Sequence, residues 1–374
     1  MATFTGVGCM SGSSLDGLDI CYVEFTGDLD TDVWGHRIIK AKTVPYSPEW
    51  EERLRKARTL HSEDFVKLHV EYGHLIGKEV RDFIQTEGIE SVDFVASHGH
   101  TVFHNPKLRY TFQLGDGETT AVYLNCPFVC NFRNKDLALG GEGAPFVPCG
   151  EKYLFSSSEI CINLGGIANI GFVGKTGYDV SPCNYVSNRL ALAYNPSMKY
   201  DEDGKIAKDG KIIPEVFRDL EDLPFYKQPP PKSLSAEWIE QNVMPILDTE
   251  KYGIADLLMT FYEHVAVRLS DACLNGSLER IDIKSKLLKE KFLVEETDSH
   301  TICFKEALVF AFLGLRCLLG EENILKDVTG SESDSVSGSV HLPVASQNTP
   351  GKLLRTNFEL KRRRGRISCS FSID

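Results

Sequence analysis

Hydrophobic and polar positions change their period several times along the chain, and each change marks an element. Thr3 to Cys9 and Leu18 to Phe25 are strand-like runs joined by a polar turn of Ser11, Gly12, Ser13, Ser14, Asp16 and Gly17. Thr31 to Pro45 reads as one or two further strands, and Pro48 to Arg58 as a charged helix. From Ser62 to Thr86, Phe65, Leu68, Leu75, Ile76, Val80 and Phe83 recur at helical spacing, and Gly88 ends the helix. Val92 to Ser97 is a short apolar strand leading into SHGHTVFHNP, residues 97–106. A strand, helix, strand order is the signature of an α/β fold.

The middle of the chain is rich in glycine. QLGDGETTAVYL (113–124) reads as a strand end, a turn and a helix start, and FRNKDLALGGEGAP (132–145) as a long loop. ICINLGGIANIGFV (160–173) is a strand, a Gly-Gly turn and a second strand, which echoes the opening hairpin and hints at a duplicated α/β domain. Tyr185 to Tyr194 is helical, and Gln228 to Lys232 is an extended connector with three prolines. YDEDGKIAKDG (200–210) lacks the terminal Glu of a calcium loop and reads as solvated turn. Asp256 to Ala272 is amphipathic, with Leu257, Leu258, Phe261, Val265 and Leu269 on one face. Glu306 to Leu319 is a helix closed by Gly320. Its apolar part is too short for a bilayer and carries Arg316, so it is a core helix and no membrane partner is expected. From about Ser331 the composition turns to Ser, Gly, Asn and Pro, and the chain ends in LKRRRGRISCSFSID. This reads as a disordered tail whose basic cluster is solvated charge, with a nuclear signal or nucleic-acid patch as the rival reading.

Composition narrows the class. The chain has 374 residues, 42% hydrophobic and 25% charged, enough for two packed domains. A net charge of −12 argues against nucleic acid as a partner. Eleven cysteines without CxxC pairs or Cys/His metal spacing, and no signal-like N-terminal stretch, fit a reducing cytoplasm. Cys126 and Cys130 are expected on one face of a strand as buried thiols.

Several residues can carry chemistry. The opening turn is either an anion grip, with small residues exposing backbone N–H groups, or a plain Gly/Ser hairpin. Asp16 and Asp19 add carboxylates for a metal or a metal-bound water. His98, His100 and His104 are either a metal cluster or hydrogen-bonded loop histidines, the latter favoured by the lack of nearby acidic and Cys partners. Taken alone, Asp179 after Gly-Tyr is a turn residue.

The ordered set GCMSGSSLDGLD (8–19), SHGHTVFH (97–104), QLGDG (113–117), FRNKDLALGGEGAPFVP (132–148), NLGGIANI (163–170), DVSPCN (179–184), PPKSL (230–234) and FKEALVFAFLG (304–314) resembles the anhydro-N-acetylmuramic acid kinase family. That family belongs to the sugar kinase, heat-shock ATPase and actin group. The resemblance implies two ribonuclease-H-like domains with ATP in the cleft between them. It implies hydrolysis of a 1,6-anhydro bridge and phosphorylation of the released 6-oxygen, with ATP and Mg²⁺ as cofactors. Matching positions imply Asp179 as the base for the attacking water. They place Gly12, Ser13, Ser14, Leu15, Asp16, Gly17, Leu18 and Asp19 in the nucleotide turn, and Gly165 and Gly166 against the phosphates. Thr101, Arg133 and Glu306 are implied at the sugar end, although a Glu starting a helix also simply suits the macrodipole. The implied domains are 1–137 with about 323–343, then 138–322, with 344–374 as tail. A homodimer and a small anhydrosugar are the implied partners.

The sequence departs from the family in two places. Val180-Ser181 replaces the usual Thr-Gly after the aspartate, and the Gly-Gly-Gly-x-x-Asn turn expected near 274–282 has no counterpart. The rival readings are therefore a kinase for another anhydrosugar such as levoglucosan, or an inactive form that binds without turnover.

Overall fold

The computed structural model describes residues 1–12, 15–28, 31–173, 175–230, 232–276 and 298–344. Among them the strands are β1 (Ala2–Ser11), β2 (Gly17–Asp28), β3 (Val33–Pro45), β4 (Phe94–Ser97), β5 (His100–Asn105), β6 (Tyr110–Leu114), β7 (Phe128–Cys130), β8 (Ile160–Leu164), β9 (Ile167–Phe172), β10 (Thr176–Pro182) and β11 (Ser339–His341). The chain is mixed α/β and forms two compact units. Unit one takes Met1–Ser156 and the chain from Thr297, and unit two takes Ser157–Glu296.

The first unit is built on a six-stranded sheet, ordered β11-β7-β4-β1-β2-β3. β1 runs parallel to β4 and antiparallel to β2, and β2 runs antiparallel to β3. Every residue of β1 from Gly6 to Ser11 is buried, because the sheet is covered on both faces. On one face lies helix Ser62–Thr86, whose Leu68, Tyr72, Ile76 and Val80 pack with Val7, Cys9 and Val95. On the other lies helix Ser299–Leu319, packed through Ala307, Ala311, Phe312 and Leu315 against Phe4, Phe25 and Ala96. Small residues let this helix come close. A Cβ on Gly8 would sit 2.0 Å from the Ala307 carbonyl oxygen, and one on Gly314 2.5 Å from Ala96 Cβ. Phe312 is fully buried against Trp34 at 5.3 Å between ring centroids, a burial that contributes about 1.5–3 kcal/mol.

The second unit contains a three-stranded antiparallel sheet ordered β10-β9-β8. Its helices Asn184–Tyr194 and Ile254–Gly276 bury Val186, Leu190, Leu257, Leu258 and Phe261 around Ala168 of β9. Each unit thus begins with a strand, a tight turn and an antiparallel strand.

Several expectations are corrected. Residues 132–145 are not all loop, because Arg133–Ala138 is a short helix. Thr31 to Pro45 holds one strand, within the one or two expected, with a bulge that leaves Ile39 out of register. The helix expected from Glu306 begins at Ser299, capped by the Asp298 side chain, and breaks its dihedrals at Phe304. Glu306 therefore follows a kink and does not start the helix. That helix packs on the sheet of the first unit. The chain after Ser331 is not all tail: Ser339–His341 pairs with Cys130, Val129 and Phe128 as an edge strand. Cys126 is buried but lies in the turn before β7, so only Cys130 is on the strand. Most of the region expected to lack the glycine-rich turn, from Ser277, and the basic tail both lie outside the described residues.

Candidate functional site

In the first unit the hairpin turn follows β1 and Arg133 follows β7, at the same end of the six-stranded sheet, while Thr101 lies on β5 and Glu306 on helix Ser299–Leu319. Gly12 follows β1, Leu15 takes a left-handed backbone (φ 59°) and Asp16 is exposed. Ser13 and Ser14 lie outside the described residues. Gly17, Leu18 and Asp19 belong to β2, opposite Pro45, Val44 and Thr43 of β3. The Leu18 side chain is 1% exposed and belongs to the core. Asp19 accepts a hydrogen bond from the Thr43 hydroxyl at 2.6 Å. Burial raises the Asp19 carboxyl, Thr43 opposes this, and the charge of Asp16 adds to it.

Arg133 is the centre of the next cluster. Its Nε donates to His98 Nε2 at 2.9 Å, and its Nη1 donates to the Gly143 carbonyl at 2.5 Å. His98 Nδ1 in turn faces the Gly99 carbonyl at 2.9 Å, which fixes the neutral tautomer with Nε2 as acceptor. Burial first, and then the Arg133 charge, hold His98 well below its ordinary value. Burial lowers the guanidinium of Arg133 to about 10, with Glu306 and Asp136 working against it. Glu306 is open to solvent at its surface, yet the surrounding protein desolvates it enough to raise its carboxyl, with Arg133 opposing and Asp19 reinforcing. Asp16, Asp19, Glu306 and Arg133 therefore share one electrostatic field. Thr101 is on β5 and accepts from the Gln113 amide at 3.2 Å. His100 Nδ1 lies 3.0 Å from Ser11 Oγ, and His104 Nδ1 3.2 Å from Thr111 Oγ1. All three histidines thus have hydrogen-bond partners. Among the described residues no group of three or more His, Cys, Asp or Glu side chains is arranged to hold a metal ion.

In the second unit Asp179 lies on β10 at a bulge, where the register with β9 shifts between Asp179 and Ser181. Its N–H donates to the Lys232 carbonyl at 3.0 Å, and its Oδ2 accepts the Leu234 N–H at 2.8 Å. The PPKSL segment therefore runs alongside the aspartate. Burial raises the Asp179 carboxyl and the Leu234 N–H pulls it back. Such a half-buried carboxylate suits proton abstraction. Gly165 and Gly166 form the exposed β8–β9 turn, and their carbonyls accept the N–H groups of Cys183, Asn184 and Tyr185 at 2.9–3.1 Å. A Cβ on either glycine would meet nothing closer than 3.6 Å. Nothing within the fold fills the space beside these two glycines.

Sequence reasoning missed the supports behind these groups. Asp136, fully buried, accepts from the Gly143 N–H at 2.7 Å and the Thr329 hydroxyl at 2.6 Å, and so aims the Gly143 carbonyl at Arg133. Behind Asp179 lie Glu221, Tyr226, His264 and Arg268. The available signal was positional: His264 and Arg268 continue the stripe of Leu257 and Phe261, placing polar groups on an apolar face.

The sequence model of the anhydro-N-acetylmuramic acid kinase family matches residues 5–343. The chain is similar to the anhydro-N-acetylmuramic acid kinase of a Sulfurovum species, at 30% identity over 90% of this chain and 98% of the relative. It is also similar to the enzyme of that name from Photobacterium profundum, at 32% identity over 91% and 99%. With these matches running through both units and every motif described above, the chain belongs to the anhydro-N-acetylmuramic acid kinase family.

Proposed function

We propose that this chain is an ATP-dependent phosphotransferase acting on 1,6-anhydro-N-acetylmuramic acid. The reaction consumes sugar, ATP and water and yields N-acetylmuramic acid 6-phosphate and ADP. In a cell this serves cytoplasmic recycling of peptidoglycan fragments. Among the described residues no helix is long and apolar enough to cross a membrane. The two units are read as ribonuclease-H-like halves of an ATP-using kinase. The consecutive antiparallel strands β1-β2-β3 and β8-β9-β10 support that reading.

The carrying observation is Asp179, a half-buried carboxylate held by the Leu234 N–H on a bulged strand. Asp179 takes a proton from the water that attacks the anomeric carbon, the C1–O6 bond of the anhydro bridge breaks, and the 6-oxygen receives the phosphoryl group. Arg133, oriented by His98 and the Gly143 carbonyl, donates to the sugar, and Glu306 and Thr101 accept from its hydroxyls. Gly12 to Asp19 and the open Gly165–Gly166 turn hold phosphates through their backbones. Asp16 and Asp19 fit a hydrated Mg²⁺, which holds water readily and needs only one or two carboxylates besides phosphate oxygens. Bound there, Mg²⁺ would neutralise phosphate charge.

The test is ADP release from ATP–Mg²⁺ with 1,6-anhydro-N-acetylmuramic acid and, separately, levoglucosan. Turnover with the first and not the second is expected. Absence of turnover with both, together with no ATP binding by calorimetry, overturns the kinase reading. Turnover with levoglucosan alone reassigns the sugar.

A further inference from the structure

Both structural supports of Asp179 lead to one short turn, the first to the Tyr226 hydroxyl and the second to the Phe225 carbonyl. The first support is the bulge. Beyond it Ser181 is fully buried, and its Oγ lies 3.4 Å from the Tyr226 hydroxyl. The second support is the segment carrying Lys232 and Leu234, which binds the Asp179 N–H and carboxylate. That segment is pinned by the Lys232 ammonium, which donates to the Phe225 carbonyl at 3.2 Å. The same ammonium lies 4.5 Å and 6.0 Å from the ring centres of Phe225 and Tyr226. Phe225 and Tyr226 share one short turn, Pro224–Lys227.

Tyr226 is itself fixed from behind. Its hydroxyl is 2.8 Å from Nε2 of His264, which is fully buried. His264 Nδ1 is 2.5 Å from Glu221, and Glu221 is paired with Arg268, which also holds Asp271 at 2.7 Å. The direction of each bond follows from the carboxylate, which has no proton to give. His264 donates through Nδ1, its Nε2 must accept from the Tyr226 hydroxyl, and the Tyr226 oxygen is left to accept from Ser181. Burial pushes the Tyr226 phenol up to about 12, so the hydroxyl keeps its proton.

We infer that Tyr226, aimed by the buried His264–Glu221 pair, is a positioning residue that holds, through Ser181, the bulge carrying Asp179 and so keeps its carboxylate on the Leu234 N–H. This rests on the reading of Asp179 as the base, and it extends that site into the hydrogen-bond network behind it.

A merely structural network would leave the titration of Asp179 unmoved, so that titration is the test. The Asp179 resonance is assigned by its loss in Asp179→Asn, and its carboxyl is followed by carbon NMR in aspartate-labelled full-length protein. In Tyr226→Phe the Leu234 N–H loosens, and Asp179 is expected to titrate higher by about half a pH unit or more. Turnover should fall about tenfold with KM for ATP unchanged, and the same substitution in the Asp179→Asn background should cost nothing further. An unmoved Asp179 titration, or an equal loss in both backgrounds, overturns the inference. Should Tyr226→Phe fail to fold, Ser181→Ala breaks the same link from its other end: an upward shift of Asp179 there keeps the inference and an unmoved titration overturns it. Full turnover in Asp179→Asn would instead sink the base reading alone, and would leave the shift in Tyr226→Phe standing.

Discussion

Each unit holds a buried hydroxyl chain behind its candidate ligand residues, and the two chains are made of different chemistry. In the first unit the Tyr46 hydroxyl donates to Ser11 at 2.8 Å, lies 2.5 Å from the Tyr72 hydroxyl, and Ser11 meets His100 at 3.0 Å. All four groups are uncharged: burial holds His100 at about 4 and lifts Tyr46 to about 12. In the second unit the chain from Ser181 through Tyr226 and His264 ends on the carboxylate of Glu221, which Arg268 neutralises. A neutral chain fixes shape and leaves proton directions interchangeable. A chain anchored on charge fixes every proton direction. In the proposed function, the first sits behind a turn that needs only shape to grip phosphate, and the second behind a carboxylate whose orientation and protonation are the chemistry.

The largest expected effect tests the chemical end of that contrast. Asp179→Asn should lower kcat by roughly 10²–10⁴-fold in the ADP-release assay, because the general base is lost. Arg133→Met should come next, with kcat/KM for the sugar falling about 10–100-fold and ATP affinity unchanged by calorimetry, since one charged hydrogen-bond donor is removed. In the first unit, Gly8→Ala should destabilise the protein by about 1–3 kcal/mol in urea unfolding, because its methyl collides with the Ala307 carbonyl. Tyr46→Phe should cost about 1–2 kcal/mol by stranding the hydroxyls of Ser11 and Tyr72, and the loss should be equal at pH 7 and pH 9, where the chain carries no charge. A loss that changes between those pH values would break the comparison.

Titration sharpens it further. His100 binds its proton less readily folded than unfolded, so the unfolded state takes up protons first as pH falls. The neutral His100 contributes no pH dependence above about 6.5, and stability should fall as pH drops from there toward about 4. Asp179 must be ionised to accept a proton. Its raised carboxyl should place the acid limb of kcat/KM above that of an ordinary aspartate, and Asp179→Asn should remove the limb.

Legibility in the sequence followed the range of the interaction. The hairpin β1–β2, helix Ser62–Thr86 and helix Ile254–Gly276 were readable because period and turn residues are local signals. The helix start within residues 113–124 was legible for the same reason, and the structure adds its cap, the Asp116 side chain accepting the Thr119 N–H at 2.8 Å. The edge strand Ser339–His341 was not, because its apolar content is low and only pairing with β7 makes it a strand. The kink at Phe304, which sets Glu306 apart from the true helix start, left no mark in the periodicity.

The site shows the same division. Motif order identified Asp179, Arg133 and Glu306 as separate points on the chain. By itself the sequence determined the α/β order of elements, the glycine turns, the family and the residue types available for chemistry. Tertiary structure decided which of them share a field: Glu306 with Arg133 and Asp19, and His264 behind Tyr226 and Ser181. Coulombic and hydrogen-bond energies depend on distances that close only when helices pack on sheets. No local pattern can carry those distances, so a polar residue on an apolar stripe shows its partner only in the folded chain.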